Sequence, residues 1–309
     1  MSEFSLIAKH FSRHTAADDI AISVGDDCAV LDVPMGHQLV ICTDTMVENR
    51  HYPADTPAHA VGYKAVAVNL SDLAAMGATP HSITLALSLP KYDAAWVAGF
   101  ADGLYQICDE FGVKLIGGDT TYSPTTTISI TATGFVPQGA AITRSGAKLG
   151  DIICVSGQIG SASLALSQVL QGKVSPLRAA LDYPTPQVAL GQALKGFANS
   201  MIDISDGLGQ DLGHILTASG VGARLNLEQI PCTDTVAALP FAEKYQHILN
   251  GGDDYQLCFT LPVTKLAQFQ ADFAHLPIYP IGQISVDDGL VLFEHGKAVD
   301  FKVKGWEHF

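Results

Sequence analysis

Six short stretches of this chain set aspartate beside glycine, serine or threonine: Gly25-Asp26-Asp27, Thr43-Asp44-Thr45, Asn69-Leu70-Ser71-Asp72, Gly117-Gly118-Asp119-Thr120, Asp203-Ile204-Ser205-Asp206-Gly207 and Gly251-Gly252-Asp253-Asp254. Any one of them reads first as a helix N-cap or an Asx turn. Six in one chain, two of them Gly-Gly-Asp, point to carboxylates carried on turns at strand and helix ends. If these acids meet in a common pocket, cations must offset their mutual repulsion. Hard oxygen donors select Mg2+, Mn2+ or Ca2+ over zinc. Carboxylates, divalent ions and glycine turns together suit phosphate chemistry, where moving a γ-phosphoryl group is mainly a matter of positioning and charge neutralisation. Basic residues are scarce in these stretches. Arg144, in Thr-Arg-Ser-Gly-Ala, and Arg50, beside His51, are the exceptions. Arg144 could fork onto phosphate oxygens or sit in a rim salt bridge.

Other chemistries lack their signatures. There is no GxxxxGK[ST], since Gly172-Lys173 is followed by Val and Gly296-Lys297 by Ala. GxGxxG, the GxSxG elbow, HExxH and EF-hand spacing are also missing. Gly157-Gln-Ile-Gly160, after the run DIICVS, reads as a connecting turn with a phosphate contact as the lesser alternative. The cysteines at 28, 42, 108, 154, 232 and 258 form no CxxC pair. Cys154 and Cys258 lie in apolar runs and read as core. Asp211 and His214, three apart on one helical face, read as an exposed pair.

Composition narrows the class. Basic residues number 17 against 31 acidic, a net charge of −14, which argues against a nucleic-acid partner. The acids are 24 Asp and only 7 Glu, which favours turns, N-caps and metal ligation over solvated helix faces. With 309 residues, 48% of them hydrophobic and 16% charged, the chain is expected to form two domains, each with a core. No stretch approaches the roughly 18 uninterrupted apolar residues of a membrane helix. The N-terminus, MSEFSLIAKHFSRH, has no apolar signal core. These features imply a reduced, cytoplasmic protein with no membrane partner.

The elements that must position the acids follow from periodicity. Strands are predicted at Gln38–Cys42, His81–Leu89, Lys114–Ile116 and Thr126–Val136, with helices over Ala58–Met76, ending at Gly77, and Asp93–Phe111, closed by Gly112. Pro137-Gln138-Gly139 marks a boundary, giving domains 1–137 and 138–309. Beyond it come strands at Asp151–Val155, Met201–Ile204, Ala223–Leu227, Tyr255–Leu261 and Gly289–Glu294, and helices at Ser161–Leu170, Pro186–Phe197, Gly207–Ser219 and Thr264–Phe273. Two α/β domains in series result. The alternating strands of the first imply a sheet with one wet or partner-facing side.

Seven segments now carry a resemblance: GDDCAV at 25–30, TDTMVE at 43–48, AVNLSDLAAMGA at 67–78, GGDTT at 117–121, TRSGAKLGD at 143–151, IDISDGLGQDL at 202–212 and GGDDYQLCFT at 251–260. In order and over nearly the whole chain they resemble the thiamine-monophosphate kinases, within the aminoimidazole-ribonucleotide-synthetase-like group. The resemblance implies an α/β (α+β) fold of two domains. The N-terminal domain would hold a mixed sheet that pairs in a homodimer and would bind metal and ATP; the C-terminal domain would be α/β. It implies ATP-dependent phosphorylation of thiamine monophosphate to thiamine diphosphate, with several Mg2+ ions. Asp27, Asp44, Asp72, Asp119, Asp203 and Asp206 resemble the metal carboxylates, with Thr43 and the backbone of Cys42 beside them. Gly118, Asp119, Arg144 and Ser205 resemble nucleotide contacts, and His51, Asp253 and Trp306 fall where the family meets its substrate. A cationic thiazolium beside an aromatic ring and a carboxylate is physically sensible.

Two departures stand out. Cys42 replaces a frequent Ser, and a neutral thiol is a poor Mg2+ ligand. Asp253 replaces a usual Glu, one methylene shorter. The acceptor, a phosphate monoester with a second pKa near 6, is already largely deprotonated at neutral pH. The expected transfer is therefore direct and in line, without a general base or a phosphoenzyme. Rival readings are an aminoimidazole-ribonucleotide or selenophosphate synthetase, and a non-catalytic Mg-nucleotide regulator.

Overall fold

The computed structural model describes residues 3–13, 19–24 and 27–305. Trp306 and Asp26 lie outside them. The chain divides into two compact units: one runs to Leu73 and continues over Ala78–Gly139, and the other holds Ala74–Gly77 and the chain from Ala140 onward.

The first unit begins with α1 (Glu3–His10) and the short strands β1 (Ile20–Ile22) and β2 (Val30–Leu31). It continues with β3 (His37–Val47), α2 (Ala58–Ala75), β4 (Thr79–Leu89), α3 (Ala94–Phe111), β5 (Lys114–Tyr122) and β6 (Thr127–Pro137). The four long strands form a mixed sheet in the order β3-β6-β4-β5, antiparallel except for the β4–β5 pair. One face is sealed: Ile83, Leu85 and Leu87 of β4 and Ile128, Ile130 and Ala132 of β6 are buried. The alternate residues form a hydroxyl ladder on the other face, where Thr43 meets Thr131 at 2.8 Å and Thr45 meets Ser129 at 2.7 Å. Helix α2 is apolar or small nearly all round, from Ala60 to Ala75, so it is buried on most sides. Helix α3 starts on Asp93, whose carboxylate accepts from the amides of Ala95 and Trp96, and stops at Gly112.

The second unit contains β7 (Ile152–Val155), α4 (Ser161–Leu170), α5 (Arg178–Asp182), α6 (Val188–Ala193), β8 (Ser200–Asp203), α7 (Leu208–Ser219) and β9 (Gly222–Asn226). Then follow α8 (Asp234–Ala237), α9 (Phe241–Leu249), β10 (Leu257–Leu261), α10 (Val263–Asp272), β11 (Tyr279–Ser285), β12 (Leu290–Glu294) and β13 (Lys297–Val299). Its seven-stranded sheet runs β13-β12-β9-β11-β7-β10-β8. Ile153, Val155, Ile202, Leu212, Leu225, Ile248 and Ile281 build one core around it, with Cys258 inside. Cys154 and Cys258 are fully buried, as their apolar surroundings implied.

Several expectations change. Three of the six aspartate stretches lie inside regular elements rather than in turns: Thr43–Thr45 in β3, Asn69–Asp72 in α2 and Gly117–Thr120 in β5. In β5 Gly118 serves close packing, because a side chain there would strike the Leu85 carbonyl of β4. Strand β5 therefore runs to Tyr122, well past Ile116. Strand β11 escapes periodicity because Pro280 and Gly282 read as breakers, whereas here the ladder shifts register between them.

Candidate active site

In the first unit, β3 and α2 bring four polar residues together. Cys42 and Asp44 alternate onto the helix-facing side of β3, and Asn69 and Asp72 lie one turn apart on α2. Asn69, fully buried, fixes the arrangement. Its Nδ2 donates to the Ala65 carbonyl at 3.0 Å, and its Oδ1 accepts the Asp44 amide at 3.1 Å. The Cys42 thiol donates to the Asn69 carbonyl at 3.4 Å. Burial, then the charges of Asp72 and Asp44, pushes that thiol far above its ordinary value. A thiol held protonated in this way acts as the hydrogen-bond donor to Asn69. Thr43 turns to the opposite face, onto Thr131.

Asp119 does not join this group within its unit. Cross-strand partners run Asp44–Ile130–Leu85–Gly118 in one row and Thr45–Ser129–Ala86–Asp119 in the next. Neighbouring rows face opposite sides, and β3 and β5 are the two edges, so three strand spacings, roughly 14 Å, separate the acids. Asp27 is exposed, four residues before β1's partner strand β2 ends at Leu31. His51 sits in the turn after β3. Its Nδ1 accepts the Val47 amide at 2.9 Å, which puts the ring proton on Nε2.

In the second unit the antiparallel pair β8–β10, with Asp203 opposite Leu257, sets two loops side by side. Asp203 ends β8 and is buried, while Ser205 and Asp206 follow in the turn before α7. The second loop is Gly251–Gln256. Its Asp253 amide donates to the Ser205 carbonyl at 3.0 Å, and its Tyr255 amide donates to Ile204 at 2.8 Å. A side chain at Gly252 would strike the Ser205 carbonyl, so only glycine allows this approach. Asp253 and Tyr255 both take left-handed backbone, at φ 69° and 48°. The Tyr255 hydroxyl donates to Asp253 Oδ1 at 3.2 Å. Arg144 is exposed on the loop whose Thr143 carbonyl accepts the Met201 amide, near the opposite end of β8 from Ser205.

Each loop is anchored on a buried carboxylate. Asp211 Oδ2 accepts the amides of Ser205, Asp206 and Gly207, each at 3.1 Å. Burial, with Asp203 next, nonetheless pushes its pKa up to about 8. Asp254 accepts the Gly160 amide at 2.8 Å, with the Ala162 and Ser161 amides also donating, and burial pushes it up to about 7. The Gly160, Ser161 and Ala162 amides are therefore already engaged by Asp254, and the Ile159 amide donates to the Pro231 carbonyl.

The donor set suits a hard divalent ion: Asp44 and Asp72 in one unit, Asp203 and Asp206 in the other, all oxygen ligands. Among the described residues, no three His, Cys, Asp or Glu side chains already stand as a closed metal cage. Carboxylate pairs without a full shell fit an ion whose remaining ligands are water and phosphate, the usual habit of Mg2+.

Comparison with known proteins decides the family. Residues 25–136 match the family model for the AIR synthase related protein, N-terminal domain, and residues 148–294 match its C-terminal domain. The chain is 43% identical to the thiamine-monophosphate kinase of Escherichia coli (strain K12) over 320 residues, covering 99% of this chain and 98% of that one. The chain belongs to the thiamine-monophosphate kinase family. The crystal structure of thiamine-monophosphate kinase from Stenotrophomonas maltophilia K279a superposes with a TM-score of 0.84 at 39% identity, covering 96% of both chains. A second solved relative, "AaThiL complexed with AMPPCP and TMP", gives a TM-score of 0.78 at 31% identity, covering 93% of this chain and 92% of that one. The two-domain AIR-synthase architecture expected of the family is the one observed.

Against the family pattern, sequence reasoning missed three residues that shape the site: Asn69, Asp211 and Asp254. Asp211 is buried at 2% exposure, not part of an exposed pair, because the turn before α7 aims three amides at it; His214 does face solvent. The spacing of Asp206 and Asp211 across a helix start was the available signal, since a carboxylate in the first turn of a helix meets unpaired amides there.

Proposed function

We propose that this chain phosphorylates thiamine monophosphate with ATP, giving thiamine diphosphate and ADP, a phosphotransferase step with a phosphate as acceptor. The observation that carries the reading is the carboxylate pair in each unit, Asp44 with Asp72 around Cys42 and Asp203 with Asp206 around Asp211, all oxygen donors. A relative solved with AMPPCP and TMP supports the choice of both ligands.

Asp44 and Asp72 in one unit and Asp203 and Asp206 in the other, with Asp27 and the backbone of Cys42, would hold Mg2+; Asp119 and Thr43, on the other face of the sheet from Asp44, would serve a different ion from that pair. The ions would neutralise phosphate charge and polarise the transferring group. The chain's own residues do the rest. Arg144, with Gly118 and Ser205, contacts the nucleotide, the guanidinium forking onto phosphate. His51, with its proton on Nε2, and Asp253, held by Tyr255, orient the thiamine ester, together with Trp306. The acceptor phosphate arrives largely deprotonated, so no side chain need act as general base.

The working form is a homodimer. Leu39 and Ile41 on the edge strand β3 are exposed, at 39% and 59%, on the face that carries the hydroxyl ladder, which suits burial against a second copy. We also assign the protein to the cytoplasm, with no membrane or nucleic-acid partner. No helix among the described residues is long and apolar enough to cross a membrane, and the charge is −14.

A substrate screen tests the reading. ADP release should depend on thiamine monophosphate and yield thiamine diphosphate. Release driven instead by formylglycinamidine ribonucleotide or selenide would move the chain to a sister activity.

A further inference from the structure

We infer that Asp211 is a positioning residue for phosphoryl transfer, fixing Ser205 and Asp206 through their backbone rather than touching a substrate. The inference rests on the kinase reading above. Three successive amides, those of Ser205, Asp206 and Gly207, converge on one oxygen, Asp211 Oδ2, at 3.1 Å each. Successive N–H groups aimed at one point form a nest of the kind that elsewhere holds a phosphate or another anion. Here the nest is filled from within the chain.

Geometry closes the loop at both ends. The Asp211 amide donates back to the Gly207 carbonyl at 3.0 Å, so residues 207–211 make the first turn of α7 while the carboxylate reaches over it. With three peptide planes set by one acceptor, the directions in which the Ser205 and Asp206 side chains leave the backbone are also set. Gln210 adds a contact from its Nε2 to Asp206 Oδ2 at 3.3 Å. The same loop carries its neighbour, because the Ser205 carbonyl accepts the Asp253 amide. Asp211 is 2% exposed, so in the intact protein these amides have the carboxylate rather than bulk water as their acceptor. A residue that only capped α7 would need one such bond; this one organises the two residues assigned to nucleotide and metal.

The test compares wild type, Asp211→Ala and Asp211→Asn in full-length protein. Asp211→Asn keeps an acceptor oxygen in place and should retain folding, amide protection and turnover. Asp211→Ala should lower kcat about 10–100-fold, the range seen when an outer support of a metal site is removed. It should raise KM for MgATP more than KM for thiamine monophosphate, and hydrogen exchange at the amides of residues 205–207 should quicken. Formate, a small carboxylate able to enter the vacated nest, should restore turnover in Asp211→Ala and leave wild type unchanged. Wild-type kinetics in a folded Asp211→Ala protein, or absence of formate rescue, would overturn the inference. If Asp211→Ala does not fold, Asp211→Asn decides: lost turnover with unchanged amide protection at residues 205–207 also overturns it. Wild type that makes no thiamine diphosphate would instead defeat the kinase reading, and exchange at residues 205–207 still reports on Asp211 without any turnover.

Discussion

The amide of Asp44 donates to Oδ1 of Asn69 at 3.1 Å, so a residue of β3 has its backbone fixed by a buried side chain of α2. Asn69→Ala removes that acceptor together with the bond to Ala65. It should cost about 1–3 kcal/mol of stability, the penalty of a buried unpaired donor, and should lower turnover as well. Thermal denaturation and steady-state kinetics on the same preparation check both effects. A variant as stable as wild type would show that the Asp44 amide finds another partner.

Asp44→Asn and Asp72→Asn remove one charge each while keeping shape. Each should cut turnover at least about 100-fold, on the scale of losing one preorganised electrostatic contact to a transition state, with circular dichroism unchanged. Raising Mg2+ should recover part of the loss. Near-normal activity in both variants at ordinary Mg2+ would remove these acids from the reaction.

Tyr255 holds Asp253 through a phenol–carboxylate hydrogen bond at 3.2 Å. Tyr255→Phe frees that carboxylate without changing the ring. KM for thiamine monophosphate should rise about 3–10-fold, the worth of one ordinary hydrogen bond of about 1 kcal/mol, while KM for MgATP and kcat stay close to wild type. Equal KM values for both proteins would separate Asp253 from substrate recognition.

Burial pushes Asp254 up to about 7, against the pull of the Gly160, Ala162 and Ser161 amides. The folded chain then binds a proton that the unfolded chain, with an ordinary carboxylate, has already released. Stability from this group is fully present below about pH 4 and declines as pH rises toward about 7, then levels off. Asp254→Asn keeps an acceptor and cannot ionise, so its Tm relative to wild type should climb between pH 5 and about pH 8. Fluorescence melts across that range check the sign, and a constant difference would place Asp254 as a charged group throughout.

Exposed Leu39 and Ile41 lead to a prediction about assembly. Ile41→Glu, on an edge strand, should shift the protein from dimer to monomer in light scattering while leaving the monomer folded. A dimer that persists would put the interface elsewhere.

Much of the fold was readable along the chain. Apolar and small residues at helical spacing marked α2, and Asp93 and Gly112 marked the ends of α3, because caps and periodicity are local properties. The aspartate-rich segments pointed to metal-assisted phosphate chemistry, because residue type alone fixes which ions a side chain prefers. Tertiary structure decided the rest. That Asp44 joins Asp72 while Asp119 lies across the sheet on its other face depends on strand order and register, which spacing does not encode. Whether Asp211 meets solvent or three amides depended on how the turn after β8 aimed its N–H groups, and that is a property of the folded backbone rather than of any residue in it.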